Sequence, residues 1–205
     1  MPRCFSNNEK KMIEPSPLFP GIISGQRRRT HAEVADRAAR IAGGLQKLGV
    51  KQGDSVCILM RNDIAFIEAA YAAMRLGAYA VPVNWHFKPD EVNYVLKDSG
   101  TSVLICHADM LHGLRGAIPA GVTVLSAPTP PEILGAYKID SDLLATPDFA
   151  TDLEAWLEQQ PAYGGPALPQ PQNMIYTSGT TGHPKGYDAP RRHPSRPSRR
   201  NGCAR

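Results

Sequence analysis

The chain has 205 residues, of which 42% are hydrophobic and 20% are charged, so it fits one globular domain that can bury a core. Residues 65–83 form the best apolar stretch, but Glu68 and Arg75 interrupt it, which excludes a membrane span. The first residues lack the apolar core of a secretory signal.

The cysteines and histidines show no metal-binding spacing. Four cysteines occur without a CxxC pair, and Cys57 and Cys106 each lie inside an apolar run, where a thiol behaves as a small buried hydrophobe. We expect the six histidines at surface or helix-cap positions. This usage predicts a reduced, cytoplasmic protein.

The first regular pattern is a helix followed by a strand. Thr30 and Glu33 form a capping box, and apolar residues follow at helical spacing up to Gly49, which predicts a helix over 31–48. The apolar run at 56–60 predicts a buried strand over 54–60.

A second helix and strand follow directly. Asn62 or Asp63 is the expected cap, and Gly77 the expected end, of a helix with an inward apolar face. We predict the inward residues to be Ile64, Ile67, Tyr71 and Met74. The next strand is predicted at 79–83.

Two further rounds complete the alternation. Pro89 and Asp90 begin a helix that ends before Gly100. Its predicted inward residues are Val92, Val95 and Leu96. The remaining predicted elements are a strand at 101–105, a helix at 108–115 and a strand at 122–125. Such alternation predicts an α/β fold of parallel βαβ units.

Between 127 and 172 the pattern changes to proline-rich loops. One helix is predicted there, over 151–160 with Thr151 as its cap. We interpret this region as a surface excursion that returns to the sheet.

The chemistry-bearing motif is Tyr-Thr-Ser-Gly-Thr-Thr-Gly-His-Pro-Lys-Gly, from Tyr176 to Gly186. A short buried strand is predicted at 173–176, which places the motif at the carboxyl end of a strand. Glycines allow close backbone approach to an anion, short hydroxyls donate hydrogen bonds, and the lysine adds positive charge. The predicted phosphate ligands are Thr177, Ser178, Gly179, Thr180, Thr181, Gly182 and Lys185.

The motif differs from the common P-loop, because Gly186 and not Ser or Thr follows Lys185. A flexible Gly/Ser/Thr linker is the alternative, but it would not explain Pro184 before a single lysine. The string instead resembles the phosphate loop of the adenylate-forming superfamily, in particular of acyl-CoA synthetases. The resemblance extends over about residues 20–186 and includes the segments 30–49, 53–61, 69–84 and 88–105.

This resemblance implies an ATP-dependent acid–thiol ligase that uses Mg²⁺ and coenzyme A. The parent reaction joins a carboxylic acid to AMP with release of pyrophosphate, and then forms the acyl-CoA. The motif would hold the outer phosphates. The family's catalytic lysine belongs to a carboxyl-terminal domain that we do not find here, so no catalytic residue is assigned, and we expect this chain to be a truncated, inactive form.

The last segment, 187–205, has a different composition. It contains six arginines, one aspartate and three prolines but no aliphatic core residue. This favours an out-of-frame tail over a regulated disordered linker or a basic nucleic-acid-binding extension. The alternative function is therefore a non-enzymatic, basic-tailed nucleotide- or nucleic-acid-binding protein. We also expect an irregular lead at 1–19, and aggregation or chaperone association because the sheet is incomplete.

Overall fold

The computed structural model describes residues 20–169, 171 and 174–177, together with the backbone of 185–187. The first elements are β1 (Gly21–Ser24), β2 (Arg27–Thr30), α1 (His31–Lys47), β3 (Ser55–Leu59), α2 (Ile64–Arg75), β4 (Tyr79–Pro82) and α3 (Pro89–Asp98). Next come β5 (Val103–His107), α4 (Ala108–Leu111), β6 (Thr123–Ala127), α5 (Pro131–Tyr137), β7 (Thr151–Asp152) and α6 (Leu153–Glu158). The last are β8 (Ile175–Thr177) and β9 (Lys185–Tyr187).

The centre of the fold is a five-stranded parallel sheet, as the alternating pattern predicted. Its strand order is β4-β3-β5-β6-β7, and every neighbouring pair is parallel. The order reverses between β3 and β5, because the chain moves outward from β3 first to one side and then to the other. Two antiparallel hairpins, β1–β2 and β8–β9, form separate small sheets.

Helices cover both faces of the parallel sheet. Alternate residues of β3 divide between the faces, with Val56 and Ile58 on one and Cys57 and Leu59 on the other. The first face packs against α1, α2 and α6, and the second against α3 and α4. The prediction of aggregation or chaperone association stays a prediction. None of the helices in the described part of the chain has the length and apolarity needed to cross a membrane.

Local signals were accurate for α1 and α3. The Thr30 hydroxyl accepts the Glu33 amide at 3.2 Å, and the Glu33 carboxylate accepts the Thr30 amide at 2.7 Å, so the predicted capping box is present. Helix α3 buries the three predicted residues Val92, Val95 and Leu96. The predicted helix at 108–115 is divided into α4 and a 3₁₀ turn at His112–Leu114.

The predicted inward face of α2 was wrong apart from Ile64. Tyr71 is 51% exposed, and Ile67 and Met74 are only partly buried. The fully buried residues that follow Ile64 are Glu68, Ala69, Ala72 and Ala73. Small side chains let α2 approach α1 closely, and the large residues lie outside that contact.

The region after β6 is more regular than predicted. Helix α5 was not predicted, and Thr151 does not cap a helix but pairs with Leu125 as part of β7. The cap of α6 is Asp152, whose carboxylate accepts the Ala155 amide at 2.9 Å. The excursion thus returns to the sheet as an edge strand.

Candidate phosphate-binding site

The predicted phosphate motif begins and ends in the β8–β9 hairpin. Thr177, the last residue of β8, is exposed and lies opposite Lys185, the first residue of β9. Ser178, Gly179, Thr180, Thr181 and Gly182 lie outside the described residues. The antiparallel register therefore brings together the two ends of the segment that the sequence assigns to phosphate binding.

The strand before the motif does not belong to the parallel sheet. We predicted a strand at 173–176 whose carboxyl end would lie at the edge of an open α/β sheet, but β8 pairs only with β9 among the described strands. Met174 and Tyr176 instead pack into the core on the face covered by α3. Strand β8 is thus attached to a face of the sheet.

Tyr176 links β8 to the end of α3. Its hydroxyl donates to Asp98 Oδ2 at 2.7 Å, while its ring is buried. Burial raises the pKa of the Tyr176 phenol, and the hydrogen bond to the Asp98 carboxylate raises it further. The hydroxyl therefore stays protonated and remains a donor over the physiological pH range.

The carboxyl edge of the parallel sheet holds a second polar cluster, centred on Asp63. This residue caps α2 by accepting the Ile64 amide, and it forms an ion pair with Arg27 of β2. Arg27 also donates to Glu132 of α5 at 2.8 Å. His107 Nε2 lies 3.5 Å from Asp63 Oδ2, with the His107 side chain fully buried. Burial opposes ionisation of Asp63, but the adjacent His107 imidazole and the hydrogen bond and charge of Arg27 outweigh it and lower the pKa of the carboxyl.

Arg61 forms the neighbouring part of this cluster. Its guanidinium donates to Asp109 Oδ2 at 2.8 Å and lies over two neighbouring rings, 5.0 Å from the centroid of Trp85 and 4.7 Å from that of Tyr137. Thr129 donates to Asp109 at 2.6 Å. Arg61 is thus fixed by a carboxylate and by cation–π contacts with both rings.

Sequence reasoning missed this cluster, although a signal was present. Arg61 and Asp63 come shortly after the buried strand β3, and His107 and Asp109 lie at and just beyond the end of β5. Parallel strands bring their carboxyl ends to one edge, so charged residues at these positions meet. His107 is at the predicted type of cap position, before α4, but it is buried and not on the surface.

The described residues include two buried thiols and no metal-binding cluster. Among the described residues, no group of three or more His, Cys, Asp or Glu side chains is arranged to hold a metal ion. Cys57 and Cys106 are free thiols and both are buried, as predicted. Burial raises the pKa of Cys57 to about 11, which makes this thiol unreactive at neutral pH.

Comparison with known proteins supports the ligase interpretation. Residues 13–187 match the model of the AMP-binding enzyme family. A long-chain-fatty-acid–CoA ligase of Mycobacterium tuberculosis is 35% identical over 163 residues, which are 78% of this chain and 29% of that protein. A feruloyl-CoA synthase of Amycolatopsis is 33% identical over 178 residues, 83% of this chain and 30% of the relative.

A solved structure gives the same result for the fold. The anthranilate CoA ligase AuaEII, crystallised in complex with anthranoyl-AMP, superimposes with a TM-score of 0.66 and 25% identity. The match covers 82% of this chain and 30% of that chain. The chain thus spans about three tenths of the length of the curated relatives it matches. These relatives are ligases, which gives no support to the alternative of a basic nucleic-acid-binding protein.

Proposed function

The chain belongs to the AMP-binding enzyme family, and we propose that its Tyr176–Gly186 segment holds the phosphates of ATP in a ligase that activates a carboxylic acid. The observation that carries this proposal is the hydroxyl- and glycine-rich string with a single lysine, located within the family match. ATP is a substrate here, and it supplies the AMP group that makes a carboxylate reactive. The residues of this chain contribute binding and orientation.

The residues in the segment fit a polyphosphate chemically. Backbone amides and the hydroxyls of Thr177, Ser178, Thr180 and Thr181 would donate to phosphate oxygens, and Lys185 would add a positive charge. Gly179 and Gly182 would let the backbone approach the phosphates closely. The opposition of Thr177 and Lys185 across the hairpin supports this assignment, because the two ends of the segment then bind one ligand. Mg²⁺ would accompany the phosphates and screen their charge.

The acid and the acceptor are also part of the proposal. The relatives are named as CoA ligases for a long-chain fatty acid, ferulate and anthranilate. We propose a carboxylic acid as substrate and coenzyme A as acceptor for the whole ligase. Residues 20–186 would be its phosphate-binding part, with 1–19 as a lead and 187–205 as a separate tail. The 205 residues alone would not catalyse acyl-CoA synthesis, because they span about three tenths of the relatives.

The test is a calorimetric titration of the 205-residue chain with Mg²⁺-ATP and with Mg²⁺-pyrophosphate. We expect weak binding that Lys185→Ala reduces by about tenfold to a hundredfold, since a charge-assisted hydrogen bond contributes about 1.5 to 3 kcal/mol. Lys51→Ala is the matched control, because Lys51 is an exposed lysine that precedes β3 and lies outside the Tyr176–Gly186 segment. Equal loss in both variants, or no binding by the unsubstituted chain, would refute the assignment.

A second titration separates this proposal from nucleic-acid binding. Deletion of 188–205 removes the basic tail but keeps Tyr187, which pairs with Ile175 in the hairpin. We expect ATP binding to survive this deletion. Salt-dependent binding of single-stranded DNA that disappears with the tail would favour the alternative.

A further inference from the structure

We propose that Tyr176 is a positioning residue for the phosphate-binding segment and that the Asp98 carboxylate is the group that holds it. This inference rests on the proposed function, since the segment that Tyr176 would position is the one assigned to the ATP phosphates. The two residues are separated by 78 positions in the sequence and are joined by a hydrogen bond of 2.7 Å.

Tyr176 is the one buried side chain of β8. Ile175 and Thr177 on either side of it are exposed, and Tyr176 lies opposite Gly186 in the register. Its ring packs into the core on the face of the sheet that carries α3. The position of β8 on the sheet therefore depends on this side chain, together with Met174 just before the strand.

The location of Asp98 is unfavourable unless it has a partner. It is the last residue of α3, where the partial negative charge of the helix carboxyl end repels a carboxylate. It is also exposed, so the fold does not need it as a core residue. The hydrogen bond from Tyr176 compensates for this cost, which is the pattern expected when a local rule is broken for a specific contact.

The contact reaches the proposed site through the backbone. Thr177 follows Tyr176 directly and is the register partner of Lys185. If the Tyr176 side chain fixes the orientation of β8, it also fixes the backbone at both ends of the proposed phosphate segment. Thr177 is held through the chain, and Lys185 is held through its pairing with Thr177. Removal of the Tyr176 hydroxyl would leave the ring in the core but would allow β8 to rotate about that ring.

The experiment compares Tyr176→Phe, Asp98→Ala and the double variant with the unsubstituted chain. Two quantities are measured in each: the dissociation constant for Mg²⁺-pyrophosphate, and the amide hydrogen exchange of 175–177 and 185–187. We expect each single variant to weaken binding and to speed exchange by about fivefold, which corresponds to one net hydrogen bond. The double variant should lose no more than either single variant, because both remove the same contact.

Asp90→Asn is the control for removal of a charge from α3. Asp90 is exposed in the first turn of that helix, at the end remote from Asp98. It should leave pyrophosphate binding and β8 exchange unchanged. A purely structural role of Asp98 predicts the opposite ranking, since Asp98→Ala relieves an unfavourable helix-end charge whereas Asp90→Asn removes a favourable one.

The outcomes separate this inference from the proposed function. If the unsubstituted chain does not bind pyrophosphate but exchange rises in both single variants, the ATP assignment fails and the anchoring contact stands. If binding is present and neither variant changes binding or exchange, the anchoring role is refuted. Additive losses in the double variant would refute the pairing. If Tyr176→Phe fails to fold, Asp98→Ala decides alone, because it changes only an exposed side chain.

Discussion

Replacement of Asp63 should strongly destabilise the protein. Asp63 combines two functions: it caps α2, and it is the anionic partner of Arg27 with a side chain that is 1% exposed. Asp63→Ala removes both functions. Asp63→Asn retains an oxygen that can accept the Ile64 amide and therefore removes mainly the charge.

The magnitude follows from these two functions. Loss of an N-cap costs about 1 kcal/mol. Breaking a buried ion pair costs about 3 to 5 kcal/mol, and the lower end applies because Arg27 is partly exposed and keeps Glu132 as a partner. We therefore expect Asp63→Ala to lower the free energy of unfolding by about 4 kcal/mol and Asp63→Asn by about 3 kcal/mol. Typical total stability is about 5 to 15 kcal/mol, so the effect would be large.

The effect should also depend on pH with a defined sign. The folded-state pKa of Asp63 is lowered, so its contribution to stability is fully present above the unfolded-state pKa of about 3.9. It is lost as the pH falls through the folded-state pKa, because the unfolded chain then binds the proton more readily. The stability difference between the unsubstituted chain and Asp63→Asn should therefore shrink below about pH 4.

Urea denaturation followed by circular dichroism, at pH 7 and at steps down to pH 3, measures both effects. Asp90→Asn serves again as the control, because Asp90 is an exposed acidic residue in a first helical turn. The reasoning is refuted if Asp63→Ala changes the free energy of unfolding by less than about 1 kcal/mol, the value of the cap alone. It also fails if the difference grows as the pH falls.

Two further predictions concern helical glycines and buried thiols. Gly44→Ala should destabilise the protein by about 1 to 3 kcal/mol, because the new Cβ would lie 2.2 Å from the Trp156 ring. Gly135→Ala, at an exposed position of α5, should stabilise it by about 0.5 to 1 kcal/mol, because no atom lies within 4 Å of the new Cβ. Thermal unfolding of the two variants checks this, and similar shifts of one sign would contradict it. Cys57 and Cys106 should resist a thiol-specific alkylating reagent at pH 8 until urea unfolds the chain, as mapped by mass spectrometry; rapid labelling of either thiol in the folded state would contradict their burial.

The elements that the sequence predicted well depend on neighbours close in the chain. The capping box at Thr30 and Glu33, and the uninterrupted apolar run of β3, are local features, and each stabilises its element without distant partners. The parallel order of the sheet followed from alternation of such elements. These features determine the fold class before any long-range contact is considered.

The inward face of α2 could not be predicted in this way. Its sequence is apolar around most of its circumference, so the large residues and the alanines define two competing faces. The choice is made by distant charges: Glu68 is buried because Arg29 and Arg37 approach its two oxygens at 3.0 and 2.9 Å. Distant charges also hold β2, where Arg27 and Arg29 pair with carboxylates more than thirty positions away. The sequence of β2 therefore shows no apolar alternation. The periodicity of apolar residues in the sequence does not reveal such distant partners.

The candidate site shows a similar division between local and long-range information. The residue types of the phosphate motif could be recognised from the string alone, and the opposition of Thr177 and Lys185 depends on the antiparallel hairpin that pairs them. The hydrogen bond between Tyr176 and Asp98 joins positions that no local pattern relates. The motif could therefore be recognised from local sequence, but the contact that joins β8 to α3 could not.

The position of β8, on a face of the sheet, differs from the usual position of ligand-binding segments in open α/β sheets. In such sheets, ligands bind at the carboxyl edge where the strand order reverses, which is between β3 and β5 in this protein. That edge is already occupied by paired charges, in particular Arg61 with Asp109 and Asp63 with Arg27. A phosphate entering there would have to replace carboxylates that hold both arginines, and it would leave buried acids without partners, at a cost of several kcal/mol. These costs argue against a phosphate site at that edge and are consistent with the proposed assignment of the phosphates to the Tyr176–Gly186 segment.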